Sequence, residues 1–179
     1  MRILKTVEDS VLWLFKDNIF SAVNLKNEAK NQGVDPKRII FANRLTNEEH
    51  LARHIYADLF LDTYPYNAHT TASDALWAGL PVLTLMGQSF ASRVAASLLY
   101  AIGLPELATT TKSEYESLAI NLATDTKRLA NIKKILSKNR LSTPLFDTPL
   151  FTRHIENAYC QIYERHQANL SPNHIFVEP

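Results

Sequence analysis

The stretch DLFLDTYPYNAHTTASDALWAG, residues 58–79, decides the fold. It begins with Leu59, Phe60 and Leu61 between Asp58 and Asp62, the length and bounding of a buried parallel strand. Tyr64, Pro65, Tyr66 and Asn67 then force a turn, because proline and asparagine disfavour continuing either regular element. His69, Thr70 and Thr71 open a helix that carries Asp74, Leu76 and Trp77 and stops at Gly79, where glycine takes the left-handed conformation that closes a helix. Strand, loop and helix in that order form the repeating unit of a parallel α/β sheet.

The start of this helix is its chemical part. A helix's first turn leaves backbone N–H groups without partners and carries partial positive charge, so anions collect there. Thr70 and Thr71 add two hydroxyl donors, and His69 adds an imidazole able to donate to a negatively charged oxygen. Asp74 follows Thr70 by one turn on the same face, about 5–6 Å away. A carboxylate repels phosphate and accepts hydrogen bonds, so Asp74 suits a sugar hydroxyl beside the phosphates. Together these groups describe a site for a nucleoside diphosphate and its ribose. The same residues also allow a plainer reading, in which a threonine is the N-cap and Asp74 is a first-turn acid favoured by the dipole.

Outward from this unit, strands and helices alternate on both sides. Upstream, residues 1–5 read as the last turn of an element that begins earlier, and residues 11–15 as a first buried strand. Residues 18–32 read as a helix stopped by Gly33, with Ile19, Ala22, Leu25 and Ala29 at approximate helical spacing. A second strand covers residues 38–42. Thr46 and Glu49 match the capping-box pattern at the start of a helix reaching Tyr56, which places His50, Arg53 and His54 together. Downstream, residues 81–85 read as a strand and residues 88–102 as a helix in which Arg93 stands alone as a charge. Arg93 points to a phosphate or pairs with a carboxylate. Residues 107–109 read as a brief strand, 111–123 and 125–141 as helices, 141–151 as an extended crossing loop, and 152–168 as a final helix. The tail, residues 169–179, is polar and expected to be flexible. The basic residues between Lys127 and Lys138 are scattered and lack aromatic neighbours, which reads as a solvated face. The whole pattern is an α/β fold with a Rossmann-like doubly wound parallel sheet. Ligands of such sheets lie beyond the carboxyl ends of the strands, where the loops at 43–46, 63–69 and 86–88 fall.

Composition sets the outer bounds. At 179 residues and 46% hydrophobic content the chain is one domain with a real core. A net charge of +1 gives no reason to expect a nucleic-acid partner. No stretch approaches a membrane span and no signal-peptide pattern opens the chain, so no membrane association and a cytoplasmic location are expected. Cys160 cannot form an internal disulfide and reads as a small buried hydrophobe. Four glycines leave no room for a glycine-rich phosphate loop. His50 and His54 have zinc-compatible spacing without an evident third ligand, so no metal is expected.

The string His69-Thr70-Thr71-x-x-Asp74-x-Leu76-Trp77-Ala78-Gly79-x-Pro81-Val82 resembles the nucleotide-sugar signature of the protein O-GlcNAc transferases and their bacterial and plant SPINDLY-like relatives. Further matches are Arg38-Ile39-Ile40-Phe41, Glu48-Glu49-His50, Leu61-Asp62-Thr63 and Ala91-Ser92-Arg93-Val94-Ala95-Ala96-Ser97, in the family's order from about Val11 to about His166. The resemblance implies residues 1–168 of a UDP-sugar-binding lobe, the C-terminal half of a GT-B glycosyltransferase, with helices over 112–168 closing it. It implies UDP-N-acetylglucosamine (UDP-GlcNAc) as donor, a protein serine or threonine hydroxyl as acceptor, inversion at the anomeric carbon, and no cofactor or metal. Leu45 would contact the uracil through its backbone, His50 would face the ring, and Arg53 would donate to a base oxygen. Thr70, Thr71 and His69 would bind the diphosphate, with His69 the candidate for stabilising its charge, and Asp74 would hold the ribose. Where the family has a lysine in the uridine loop, this chain has Asn47. The family's preceding strand and helix, and its N-terminal lobe, have no counterpart here, so that lobe or another chain is an expected partner. The readings are a transferase part that works with that missing lobe, a UDP-sugar-binding module without chemistry, or an interaction domain that kept the fold.

Overall fold

The computed structural model describes residues 1–177. Chain order is α1 (Arg2–Thr6), β1 (Leu12–Phe15), α2 (Ile19–Asn31), β2 (Ile39–Ala42), α3 (Asn47–Ala52), β3 (Phe60–Leu61), α4 (Thr70–Trp77), β4 (Val82–Leu85), α5 (Val94–Ala101), β5 (Ala108–Thr109), α6 (Lys112–Thr124), α7 (Thr126–Asn139) and α8 (Thr148–Gln167). Every strand pairing is parallel. β1 pairs with β2, while β4 lies between β3 and β5, so the strands form a two-stranded and a three-stranded sheet. All four residues of β4 are buried, as the central strand of a sheet covered on both faces requires.

The main core lies around β4. Ala72, Ala75 and Leu76 of α4, Ala95 and Leu99 of α5, Leu122 of α6, and Ile132 and Leu136 of α7 close on Val82. Alanines on α4 and α5 let both helices approach the strand closely. A smaller core holds Leu4, Ala29, Val34 and Ile39, with Leu12, Leu14 and Phe41 against it. Arg38 fastens that part by donating to the carbonyls of Ser10 at 2.7 Å and Val7 at 2.6 Å. Contact of α1 with α6 and an Arg2–Glu116 ion pair at 2.6 Å link the two parts.

Several expectations need correction. Residues 2–6 form a helical turn, α1, whose Leu4 is buried. β1 is not buried: its residues alternate, with Leu12 and Leu14 turned to the small core and Trp13 and Phe15, like Val11 before the strand, exposed. On α2 only Ala29 is buried, and Ile19 and Leu25 are exposed. β3 is two residues long and only half-buried. The helix from Thr46 changes at Arg53 to a 3-10 turn, Arg53–Tyr56.

The helix expected from residue 88 begins at Val94, because Ser89 and Ser92 bond one another and their own backbone and hold a 3-10 turn, Phe90–Ser92. The crossing loop is shorter than expected, since Pro144–Phe146 is a 3-10 turn and α8 starts at Thr148. Asp147 caps α8 from the Leu150 amide, and Pro149 sits in its first turn where a missing N–H costs nothing. Cys160 is exposed on α8. Beyond Gln167 no regular element follows through residue 177. The last two residues of the expected tail lie outside the described residues.

Candidate active site

The carboxyl ends of β2, β3 and β4 feed the loops at 43–46, 62–69 and 86–93. The middle loop is a hydrogen-bonded unit. Asp62, buried at the end of β3, accepts from the amides of Thr63 at 2.8 Å and Ala68 at 2.7 Å through Oδ1, and from the Thr84 hydroxyl at 2.6 Å through Oδ2. Thr63 donates its hydroxyl to the Tyr66 carbonyl at 2.8 Å. The buried Asn67 amide donates to the carbonyls of Thr63 at 2.7 Å and Leu85 at 3.3 Å, and its backbone N–H donates to the Ala91 carbonyl at 2.9 Å. Tyr64-Pro65 is a cis peptide. Loop and strand ends are therefore joined before α4 begins.

His69 is the N-cap residue of α4, and no side chain caps the helix. The reading of a threonine as N-cap is thus wrong: Thr70 and Thr71 are the first two helical residues, both exposed. The first hydrogen bond of the helix runs from the Ser73 amide to the His69 carbonyl at 3.1 Å, and helix geometry leaves the Thr70, Thr71 and Ala72 amides without intrahelical partners. His69 is braced by Tyr66, stacked at 5.1 Å between centroids, by the edge of Phe90 at 6.1 Å, and by Nε2 lying 3.4 Å from the Ala91 carbonyl. With Nε2 donating to that carbonyl, Nδ1 can donate to an anion only when the ring is an imidazolium.

Across from the helix start, α3 and its 3-10 extension carry the second group. The Arg53 guanidinium donates to the Asn43 carbonyl at 3.0 Å and lies 2.6 Å from His50 Nδ1, which accepts from it when the ring is neutral. It also stands over Trp13, 5.8 Å from the ring centroid. His54 is buried, its Nδ1 2.8 Å from the His50 carbonyl, and its ring meets that of His50 edge-on at 4.8 Å. Burial first, then the Arg53 and His54 charges, push the His50 pKa down, while the Asp74 carboxylate pulls it up. The charges of Asp74 on α4 and His50 on α3 are thus close enough to interact. Among the described residues no group of three His, Cys, Asp or Glu side chains could hold a metal ion.

Leu45 is exposed on the 43–46 loop and Asn47 is exposed at the first position of α3. Asp74 is half-buried. The site is an open shelf. A hollow of about 200 Å³ lined by Tyr64, Leu85, Met86, Thr110 and Lys112 opens beside it, and neither that one nor a second at β5 and α6 is lined by Thr70 or Asp74. Arg93 is exposed at the N-cap of α5, and among the described residues no carboxylate pairs with it. Residue patterns alone did not give Asn67, Phe90 or the role of Asp62. The available signal was an acid at a strand's carboxyl end before a proline turn, the place where loop amides need a buried acceptor.

The sequence profile described as glycosyl transferase family 41 matches residues 1–155. The chain is 39% identical over 175 residues to the UDP-N-acetylglucosamine–peptide N-acetylglucosaminyltransferase of Caenorhabditis elegans, 98% of this chain and 15% of that protein. It is 38% identical over 176 residues to the probable enzyme SEC of Arabidopsis thaliana, 98% of this chain and 18% of that one. A mutant O-GlcNAc transferase from Thermobaculum terrenum superposes with a TM-score of 0.85 at 32% identity, over 90% of this chain and 32% of that one. This chain therefore spans less than a fifth of the length of those two relatives. Matched by the profile over most of its length, and with the parallel α/β architecture of a GT-B transferase, the chain belongs to glycosyl transferase family 41.

Proposed function

We propose that this chain is the donor-binding part of an inverting protein O-GlcNAc transferase, holding UDP-GlcNAc by its UDP moiety. The carrying observation is the uncapped start of α4, with Thr70 and Thr71 exposed on it and His69 braced beside it. Loss of UDP from the sugar places new negative charge on the diphosphate, and fixed N–H dipoles stabilise such charge without reorganising. The Thr70, Thr71 and Ala72 amides, the two hydroxyls and the His69 ring supply donors for it, so this reading calls for no metal. Arg53 and His50 present a donor and a ring to the uracil next to Leu45, and Asp74 accepts from the ribose hydroxyls. The acceptor is a protein hydroxyl brought by the other lobe of the transferase, in the compartment where nucleotide sugar and target proteins meet, the cytoplasm.

Thermal unfolding in the presence of nucleotides tests this. Ligand at a hundredfold excess over its dissociation constant stabilises by roughly 2.7 kcal/mol. UDP and UDP-GlcNAc raise the melting temperature more than ADP does, with or without a chelator, and Asp74→Ala and Arg53→Ala remove most of the shift. Equal shifts with ADP, or none with any uridine nucleotide, would refute the proposal.

A further inference from the structure

We infer that Asp62 is a positioning residue for the diphosphate site. Its carboxylate ties both ends of the 63–69 loop to β4, and so fixes where His69 and the first amides of α4 stand. The inference deepens the donor-site reading and rests on it for its effect on ligand. It stands on geometry: one oxygen accepts from the amides at the two ends of the loop, Thr63 and Ala68, at 2.8 and 2.7 Å. The other accepts from Thr84 of β4 at 2.6 Å. Only 6% of Asp62 is exposed. Ala68 directly precedes the N-cap residue of α4, so movement of its amide is passed to the helix start.

A buried carboxylate is a costly way to hold strands together. The same sheet end has cheaper ties: the Tyr115 hydroxyl donates to the Asp62 carbonyl at 2.9 Å, and the Thr109 hydroxyl to the Thr84 carbonyl at 2.9 Å. Tyr115 holds the carbonyl of the Asp62–Thr63 peptide at the edge of the loop, whereas Thr109 bonds only within the sheet and serves as the control. Burial pushes the Asp62 carboxyl up, and its three hydrogen bonds and the nearby His69 oppose that push. Asparagine at this position can accept from both amides through its oxygen and donate to the Thr84 hydroxyl, which keeps the ties without the charge. Alanine or serine cannot reach across the loop.

The test combines hydrogen exchange with UDP titration on the whole chain, at a temperature where every variant is folded. In Asp62→Ala, amides in residues 63–71 exchange about tenfold faster while those of β4 keep their protection, and the UDP dissociation constant rises about tenfold. Asp62→Asn stays within about threefold of wild type in both readouts, since its acceptor remains. Thr109→Val lowers the melting temperature and leaves both readouts unchanged. Where Asp62→Ala does not fold, Asp62→Ser moves both readouts in the same direction. If loop exchange is unchanged in the alanine or serine variant, or if Thr109→Val loses affinity in proportion to its lost stability as Asp62→Ala does, the inference is overturned. If wild type binds no UDP, the donor-site reading fails, and the exchange comparison still decides whether Asp62 holds the loop.

Discussion

His50 shows how the site is tuned one residue at a time. Desolvation and the Arg53 guanidinium hold its pKa below the ordinary 6.5, so the ring is neutral at pH 7 and its Nδ1 accepts from Arg53. A histidine depressed in the folded state contributes stability that is present above 6.5 and is lost as pH falls through the folded value. Protonation also breaks the bond that orients Arg53. A proton NMR titration of His50 therefore gives a midpoint under 6.5, and UDP affinity declines as pH falls through that midpoint. A midpoint at or above 6.5 would contradict this account of the Arg53 pair. His69, with its Nε2 directed at the Ala91 carbonyl, leaves Nδ1 as the ring nitrogen free to face a ligand.

Among the elements, α4 carries the site, and its two ends are made differently. Its start is left open for ligand, whereas its end is closed by Gly79 at φ +87° with the Gly79 amide bonded to the Leu76 carbonyl at 3.1 Å. An added Cβ at Gly79 would meet only the Arg140 guanidinium at 4.0 Å, so the cost of Gly79→Ala is backbone conformation alone. It lowers stability by about 1–2 kcal/mol in denaturant titration without changing UDP affinity at saturating folded population. A loss under half that size would mean that the helix end rearranges cheaply. Helix ends written in side-chain chemistry were legible in the sequence: the Thr46–Glu49 capping box forms as its pattern indicates, and Gly33 and Gly79 stop their helices. The α8 start was missed, although Asp147, Thr148 and Pro149 spell a capped helix beginning, because the neighbouring Thr-Pro-Leu-Phe pieces look extended. The late start of α5 was not legible, since a pair of serines bonding across a 3-10 turn has no periodic signature.

At the scale of the whole molecule, the parallel α/β architecture followed from alternating apolar runs and helical patterns, and the central β4 is as buried as its run indicates. The same reasoning misjudged β1, because a continuous apolar run tells how both faces are suited, not whether both are covered. Val11 is exposed just before β1, Trp13 and Phe15 on it, Ile40 on β2, and Ile19, Phe20 and Val23 on α2. Apolar surface of this extent drives association in water. Sedimentation of the isolated chain is therefore concentration-dependent, and Phe20→Ser with Val23→Ser reduces that dependence while leaving the melting temperature within about a degree, as surface substitutions away from the core do. A chain that stays monomeric at all concentrations would show that this face is satisfied internally. The candidate site lies in the better-packed part, around α4 and β4, where the Asn67 amide joins the 62–69 loop to the Ala91 carbonyl of the 86–93 loop, as neighbouring strand ends suggest. The bracing of His69 by Phe90 and Ala91 was not legible in the sequence, since it joins residues more than twenty positions apart.

The central claim is that the open start of α4 takes the diphosphate, and amide NMR of the labelled chain titrated with UDP tests it most directly. The Thr70, Thr71 and Ala72 amides are predicted to show the largest shifts, with uridine alone moving the α3 amides and leaving those three in place. Saturable UDP binding that leaves the Thr70, Thr71 and Ala72 signals unmoved would contradict the account.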